Sequence, residues 1–158
     1  MDHNFEVRES MVEDVRAFYD QQLDPESQWM AAFTPEDPSD RDAYMKKWRK
    51  ILADDSYQKR TIVVDGAVAG HVIIYPSEGQ LEVTFWIGRR FWGHGLAQRA
   101  LAQLLSDVPT RPLIARTAHD NEASKKVLQH NGFLFSHDET FFANARGAPI
   151  VENVYELF

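Results

Sequence analysis

Two glycines that are two residues apart, Gly93 and Gly95, stand where an apolar segment gives way to a helical pattern. The start of a helix leaves backbone N–H groups unpaired, and the helix dipole adds roughly half a positive charge there. Since glycine has no Cβ, a phosphate oxygen can approach these amides closely. Arg89 and Arg90 add two formal charges beside the loop. We interpret the segment as a phosphate cradle and expect a pyrophosphate ligand.

A tight turn that simply needs two glycines is the competing interpretation of this loop. Other phosphate-binding motifs do not fit it. No Gly-Lys-Ser/Thr sequence follows, so the segment is not a P-loop. A dinucleotide fingerprint would need a third glycine and a later strand that ends in an acidic residue, and the sequence has neither.

The loop and a second block resemble the signatures of a known family. Arg90, Gly93 and Gly95 fit the Arg/Gln-x-x-Gly-x-Gly/Ala pattern of the GNAT superfamily, the acetyl-CoA-dependent N-acetyltransferases. The longer string over residues 82–97 resembles the branch that contains the ribosomal-protein N-terminal acetyltransferases. Residues 121–133 resemble that branch's Asn-x-x-Ser-x-x-Val-Leu-x-x-x-Gly-Phe pattern. The resemblance implies a single GNAT-like domain over residues 1–158.

The same resemblance implies that acetyl-CoA is bound along this segment. Backbone amides at a splayed or bulged strand end would pair with the pantetheine arm, because a splayed strand pair leaves groups open to a strand-like ligand. The amides of the loop would hold the pyrophosphate, with His94 contributing its amide alone, and Asn121 would hydrogen-bond the cofactor. The implied cofactor-binding residues are Trp86, Ile87, Arg90, Trp92, Gly93, His94, Gly95, Leu96, Ala97 and Asn121.

Two residues are candidates for the chemistry of amine attack on a thioester, which needs a base for the amine and a proton for the thiolate. Glu82 stands where related enzymes place a general base, and its alternative is a plain surface carboxylate on a strand. Ser124 stands where this branch supplies a hydroxyl near the thiolate, and its alternative is an ordinary first-turn serine. Many superfamily members have Tyr at the position of Leu128, so the general acid is left open.

Several other residues have a structural explanation beside a functional one. His71 is expected at the edge of the core rather than in an acceptor pocket. Trp29, Met30 and Phe33 are expected in the core more than in the wall of such a pocket. No histidine pair has the i, i+4 spacing with a carboxylate that a zinc site needs, so we expect no metal.

Three helical segments are expected before the first pair of long strands. Ser10 and Glu13 suggest a capping box for a helix that ends before Asp24-Pro25. Residues 28–33 form a second short helical segment, and Asp40 can cap a third helix. Further along, residues 96–105 carry a broad apolar stripe, and residues 121–130 precede the helix-ending pair Asn131-Gly132. These two segments predict the helices that follow the glycine loop.

Strands are expected in two groups. Residues 5–8, 61–64, 68–75 and 81–87 have β-branched or alternating patterns, with a hairpin at Asp65-Gly66 and a stop at Pro76. The later strands are expected at residues 113–118, 133–135, 140–143 and 151–157. This order predicts one α/β domain with a mixed sheet and helices on its faces. The GNAT resemblance adds that the sheet is mostly antiparallel and twisted, with a splayed strand pair that holds the cofactor.

The composition is that of a globular protein, with 44% hydrophobic and 26% charged residues among 158 and no cysteine. The missing cysteines exclude disulfides and thiolate sites. A net charge of −7 argues against nucleic-acid binding. Residues 1–42 hold twelve acidic and three basic residues, whereas residues 89–130 hold seven basic and three acidic ones. Without a membrane segment or a signal peptide, a cytoplasmic protein is expected.

The sequence therefore favours an acetyl-CoA-dependent N-acetyltransferase whose acceptor is a small-molecule or peptide amine, with a mild preference for a small amine. Residues 1–60, where this family usually selects its acceptor, match no specific pattern. The acidic N-terminal region could attract a cationic amine. An acyltransferase for longer acyl-CoA and a non-catalytic acyl-CoA-binding module are the alternatives. Neither nucleic acid nor membrane is an expected partner, and a homodimer is compatible with the sequence.

Overall fold

A computed structural model describes residues 4–158 of the chain. Its strands are β1 (Phe5–Glu9), β2 (Gln58–Val64), β3 (Ala67–Ser77), β4 (Gln80–Ile87), β5 (Leu113–Ala118), β6 (Leu134–Ala143) and β7 (Ala148–Leu157). Its helices are α1 (Val15–Gln22), α2 (Pro25–Ala31), α3 (Arg41–Ala53), α4 (Leu96–Asp107) and α5 (Glu122–His130). Short 3₁₀ turns precede α1 at Val12–Asp14 and α4 at Arg89–Phe91.

The described strands form one seven-stranded sheet in the order β1-β2-β3-β4-β5-β7-β6. All neighbours are antiparallel except β4 and β5, which run parallel. These two strands pair only at Glu82 with Ile114 and at Val83 with Ala115. Beyond that point β4 continues through residues 84–87 without its neighbour. The sheet therefore opens from within, and the α/β architecture with a splayed strand pair is as predicted.

Successive apolar side chains of the strands point to opposite faces of the sheet, so both faces are covered by helices. Val72 and Ile74 of β3 face one side, where they pack with Leu101 and Leu104 of α4 in the main core. Ile73 faces the other side and packs in a second cluster, beneath α1 and α3, with the side chains Val15, Phe18, Trp48 and Ile51. The apolar stripe predicted for residues 96–105 is thus the buried face of α4.

The expected cap at Ser10 is wrong. The first helical turn begins after Met11, and the Asp14 carboxylate accepts a hydrogen bond from the Met11 N–H at 2.8 Å. Asp14 is buried and also accepts two bonds from the Arg8 guanidinium, both at 2.8 Å. The Ser10 hydroxyl instead accepts a bond from Thr61 at 2.9 Å. A buried carboxylate with an arginine partner thus replaces the serine cap.

Three predicted boundaries also move. The second helix spans Pro25–Ala31 rather than residues 28–33, because Asp24 caps it by accepting from the Ser27 N–H at 2.9 Å. β3 runs through Pro76 to Ser77, since β2 pairs with β3 only as far as Ile74 and Pro76 has a strand neighbour on its β4 side only. The strands expected at 133–135 and 140–143 are one strand, β6, which pairs with β7 along its length.

Candidate active site

A cleft of about 1330 Å³ runs from the start of α4, past the opening between β4 and β5, to α3. Ten of the residues predicted for the site line it: Glu82, Trp86, Ile87, Trp92, Gly93, Gly95, Leu96, Ala97, Asn121 and Ser124. We call the part next to α4 and α5 the cofactor end. The part next to α3, Tyr57, Tyr75 and Glu82 is called the acceptor end. The splayed strands connect the two ends.

The glycine loop has the geometry that an anion site needs. Gly93 and Gly95 have φ angles of +84° and +70°, which side chains rarely tolerate. A Cβ on either glycine would meet no protein atom within 4 Å, so the space beside the loop is open. The first backbone bond of α4 runs from the Arg99 N–H to the Gly95 carbonyl at 3.1 Å. The amides of residues 96–98 precede it and lack intrahelical partners.

The side chains of the basic loop residues do not line this cleft. The Arg89 guanidinium pairs with Asp24 at 3.1 Å and Glu26 at 3.2 Å. Arg90 lies over the Phe91 ring, 4.5 Å from its centroid, and lines a separate cavity of about 260 Å³ together with His94. The loop therefore faces the cleft with backbone rather than with arginine charge. Lys126 of α5 is a basic residue that does line the cofactor end, and sequence reasoning missed it.

Trp86 and Ile87 lie where β4 has lost β5 as a neighbour. The Trp92 indole donates to the Ile87 carbonyl at 2.9 Å and so closes the loop back onto the strand. The indole nitrogen of Trp86 is buried, and no hydrogen-bond acceptor for it occurs among residues 4–158. This stretch is the part of the sheet interior that a strand-like ligand could pair with.

Asn121 and Ser124 lie at the start of α5. The Asn121 side chain caps the helix by accepting from the Ser124 N–H at 3.2 Å, and its amide nitrogen donates to the Met30 carbonyl at 3.3 Å. Asn121 thus ties α5 to α2, and its amide still has one hydrogen and one lone pair to offer. The Ser124 hydroxyl faces the cleft and has no partner within the described chain. Leu128, at the tyrosine position of other family members, is buried in the core.

Glu82 is held in a polar network that the sequence did not reveal. Its Oε2 accepts a hydrogen bond from the Tyr75 hydroxyl at 2.6 Å, and its Oε1 lies 3.4 Å from Arg116 Nε. The Glu82 side chain is 13% exposed. Tyr75 reaches it because register pairs the two residues across β3 and β4. Burial and the neighbouring Glu82 raise the pKa of Tyr75, so its hydroxyl stays protonated and donates.

Arg116 joins Glu82 to two further carboxylates. It pairs closely with Glu139 and, at 3.3 Å, with Glu152. The bond from Arg116 holds the pKa of Glu139 below its usual value, whereas burial raises the pKa of Glu152. Three carboxylates around one guanidinium leave this wall of the cleft negative. The members of this cluster come from four separate strands, so no local motif indicates it. The alternation of polar and apolar residues along β5 and β7 is the one sequence signal that could have pointed to it.

His71 lies in the wall of the cleft, which the core-edge expectation did not include. Its ring packs edge-on against Phe18 and Trp48, with centroids 4.7 and 5.1 Å away. Burial, together with the charge of Lys47, lowers the pKa of His71 to about 3, so the imidazole is neutral. Its Nδ1 is buried and finds no hydrogen-bond partner in residues 4–158.

Trp29, Met30 and Phe33 are expected in the core from the sequence. This is wrong for Trp29, which is 54% exposed beneath the Arg146 guanidinium. Met30 and Phe33 line the cleft. Within residues 4–158, no group of three or more His, Asp or Glu side chains could hold a metal ion. None of the described helices is long and apolar enough to cross a membrane.

Comparison with protein families decides the family. The family model described as "Acetyltransferase (GNAT) domain" matches residues 5–134, most of the chain. The chain belongs to the GNAT acetyltransferases. The resemblance of the glycine loop is thereby confirmed at the family level. A search of curated protein sequences found no significant match.

Solved structures share the fold of this GNAT protein over nearly its whole length. RimL, a ribosomal alpha-N-protein acetyltransferase in complex with coenzyme A, has a TM-score of 0.84 at 17% identity, covering 98% of this chain and 93% of its own. The microcin self-immunity acetyltransferase MccE, in complex with acetyl-CoA and AMP, has a TM-score of 0.79 at 13% identity and coverage of 99% and 93%.

A third structure is spermidine N-acetyltransferase from Vibrio cholerae in complex with CoA and spermine. It has a TM-score of 0.79 at 13% identity, and the match covers 97% of this chain and 94% of that one. At these identities the similarity establishes the fold. The names of the three relatives point to different acceptors, so the acceptor of this chain has to be argued from its own cleft.

Proposed function

We propose that the protein is an N-acetyltransferase that transfers an acetyl group from acetyl-CoA to a primary amine by direct attack on the thioester. The observation that carries the proposal is a single cleft that joins an open helix-start loop to the Glu82–Tyr75 pair through the gap between β4 and β5. The acetyl-CoA or CoA bound to structural relatives supports the choice of acyl donor.

The residues of the cofactor end fit the donor. A pyrophosphate needs amides that point into open space, and the loop at Gly93 and Gly95 with the first turn of α4 supplies them. A pantetheine arm needs unpaired strand backbone, and the β5 side of residues 84–87 of β4 supplies it, apart from the Ile87 carbonyl that Trp92 uses. Lys126 and the Asn121 amide are the polar side chains that could add to this binding.

The residues of the acceptor end handle the proton. Acetyl-CoA supplies, when bound, the thioester carbonyl at which the amine forms its new N–C bond as the C–S bond breaks. Tyr75 fixes one oxygen of Glu82 at 2.6 Å, and the other oxygen, which lies 3.4 Å from Arg116 Nε, keeps a lone pair that can take the proton of the amine. The departing thiolate can accept a hydrogen bond from the Ser124 hydroxyl and takes its proton from solvent, and Glu82 returns to solvent the proton that it took from the amine. The Glu82 side chain is mostly buried, so few water molecules compete with the amine for its oxygens.

Free thiol released from acetyl-CoA in the presence of a panel of amines tests the proposal. The expected result is steady release above the amine-free control. Saturating acetyl-CoA should also raise the melting temperature, because ligand at 100 times its dissociation constant adds about 2.7 kcal/mol to the free energy of unfolding. An unchanged melting temperature would contradict the choice of donor. Binding without thiol release, over all amines, would instead favour the non-catalytic module.

Transfer of longer acyl groups is separated by the same assay. Acetyl-CoA, butyryl-CoA and octanoyl-CoA are compared with one accepted amine. A preference for acetyl-CoA is expected, because the charged side chains of Glu82, Arg116 and Glu152 at the acceptor end are unfavourable neighbours for a long apolar acyl chain. Faster release from octanoyl-CoA would replace acetyl transfer with long-chain acyl transfer.

A further inference from the structure

The two walls of the acceptor end carry opposite charge. The wall formed by β4, β5 and β7 holds Glu82 and Glu152 around Arg116, with Glu139 behind them. The wall formed by α3 holds three lysines, Lys46, Lys47 and Lys50, all of which line the cleft. A molecule lying between these walls therefore meets carboxylates at one side and ammonium groups at the other.

The lysines of α3 are not neutralised by the protein. No carboxylate of the described chain lies within ion-pair distance of Lys46, Lys47 or Lys50, although the basic residues Arg89 and Arg146 are paired. The surrounding protein lowers the pKa of Lys47, and the charge of Lys47 also lowers the pKa of His71. Lys46, Lys47 and Lys50 are exposed but line the cleft, so their ammonium groups are accessible to a molecule bound there.

A second observation at the same wall points to a ligand. The Nδ1 atom of His71 is buried and has no hydrogen-bond partner among residues 4–158. Buried polar groups without a partner are rare in folded proteins and each needs an explanation. A neutral imidazole next to unpaired ammonium groups is suited to hydrogen-bond a bound polar group. The lysines of α3 and the adjoining His71 of β3 thus have charge and hydrogen-bonding capacity that nothing in the described fold uses.

We propose that the acceptor is a zwitterion, a primary amine whose far end carries a carboxylate or phosphate that Lys46, Lys47 and Lys50 bind. The proposal rests on the proposed acetyltransferase function and names its substrate class. The ammonium end lies against Glu82, where it loses its proton before attack, and the anionic end lies against α3. His71 and Tyr75 are four residues apart on β3, so the two ends are separated by about 13 Å along the strand.

This assignment also revises the expected attraction of a cationic amine by the acidic N-terminal region. The acidic residues of α2 that lie near the loop, Asp24 and Glu26, are paired with Arg89. The attraction for an amine comes instead from the Glu82 network. The lysines of α3, which follow that region in the chain, select the other end of the acceptor.

Three probes of equal length separate the charged end from the amine. They are 10-aminodecanoate, 10-aminodecyl phosphate and 10-amino-1-decanol, which share a primary amine, differ in the far group and are long enough to span the two ends. Each is titrated calorimetrically into the CoA-loaded protein, so that no turnover occurs. We expect at least one anionic probe to bind about tenfold or more tightly than the alcohol, as a charge-assisted contact predicts. The stronger of the two identifies a carboxylate or a phosphate.

Matched variants locate the preference. In the double variant K47Q/K50Q the preference for the anionic probes over the alcohol should shrink strongly, because only Lys46 remains of the three lysines. Arg49→Gln removes one positive charge from the same helix at a residue outside the cleft lining, and it should keep the preference. Equal binding of all three probes, or a preference in K47Q/K50Q that is as large as in the parent, would overturn the proposal.

The test distinguishes this proposal from the proposed function. If CoA does not bind, the acetyl-CoA assignment fails, and the same probes titrated into the free protein still decide whether α3 binds anions. If CoA binds and amines are acetylated, but the amino alcohol is used as well as the probes with an anionic far end, the acetyltransferase function is supported and the zwitterionic substrate class is wrong. In turnover, K47Q/K50Q should raise KM for the anionic amine with little change in kcat.

Discussion

The two ends of the cleft are built from different parts of the chain and by different means. The cofactor end is mainly backbone, with a glycine loop, the first turn of α4 and the unpaired stretch of β4, all from residues 84–98. The acceptor end is mainly side chains, which come from α3, β3, β4, β5 and β7. A donor shared by a whole family can be held by backbone, whereas an acceptor that differs between members needs side chains that can change.

The largest expected effect is at the acceptor end. In Glu82→Gln the shape is kept and the basicity is lost, so kcat should fall by roughly 10²–10⁴-fold near neutral pH. Acetyl-CoA affinity should change little, because backbone groups hold the donor. Raising the pH should restore part of the rate as free amine becomes available. Thiol-release assays from neutral to alkaline pH measure kcat, and calorimetric titration measures the affinity for acetyl-CoA. A near-native kcat over this whole pH range would remove Glu82 from the mechanism.

The cofactor end should respond to a backbone change with lost affinity. Gly95→Val places a β-branched side chain at a φ of +70° and in the space beside the loop. Acetyl-CoA affinity should fall by roughly tenfold or more, and the free energy of unfolding by about 1–3 kcal/mol. Calorimetric titration and urea unfolding measure the two changes.

Gly79→Val is the matched control for that strain. Gly79 has a φ of +80° in the turn between β3 and β4, a Cβ added there would meet no atom within 4 Å, and the residue does not line the cleft. This variant should lose similar stability and keep its affinity for acetyl-CoA. Equal affinity losses in the two variants would mean that global destabilisation, and not the loop, explains the Gly95 result.

An intermediate effect concerns stability at the acceptor end. The pKa of His71 is about 3 in the folded protein and about 6.5 in an unfolded chain. The unfolded state therefore binds a proton first as the pH falls, and the stability from the neutral imidazole is lost from about pH 6.5 downward. Between about pH 6.5 and pH 5 the loss reaches at most about 2 kcal/mol.

Urea unfolding at several pH values, for the parent and for His71→Asn, measures this difference. The pH dependence of the parent minus that of the variant should show the loss, because the carboxylates titrate alike in both. A difference that stays flat between about pH 7 and pH 5 would show that His71 is not held neutral by burial.

The smallest effect contrasts two basic residues near the donor. Arg89→Gln should change acetyl-CoA affinity less than about threefold, because Arg89 is paired with Asp24 and Glu26 and lies outside the cleft lining. Lys126→Gln should weaken binding several-fold, since Lys126 lines the cofactor end. Calorimetry at low salt resolves both. The reverse ranking would place the donor's phosphates on the arginine side of the loop.

The difference between the two ends also explains what the sequence could predict. Gly93 and Gly95 are close in sequence, and their spacing before a helical stripe is a local pattern that indicates a loop with open amides. Glu82 could be predicted as a site residue because it lies on the strand that leads into that loop. Each of these predictions depends on neighbours along the chain, and the structure places them in one cleft.

Tyr75, Arg116 and the α3 lysines could not be found in this way. Tyr75 meets Glu82 only through the register of β3 and β4, and Arg116 meets Glu152 only through the alignment of β5 and β7. A helix with several lysines usually presents them to solvent, so no local pattern predicts that Lys47 lines a cleft. The same argument covers Ser10, whose capping pattern is local but was overridden by a buried carboxylate from Asp14.

The opening between β4 and β5 has one more consequence, for self-association. Unpaired strand backbone at the rim of a sheet is a template on which other chains can add, and proteins usually protect it with charge or cover. Here the unpaired stretch lies in the middle of the sheet, between strands that stay joined at Glu82 and Val83. A slender ligand can enter that gap, but a second polypeptide with neighbours of its own cannot align along it. The protein can therefore keep backbone groups exposed for binding without offering them to aggregation.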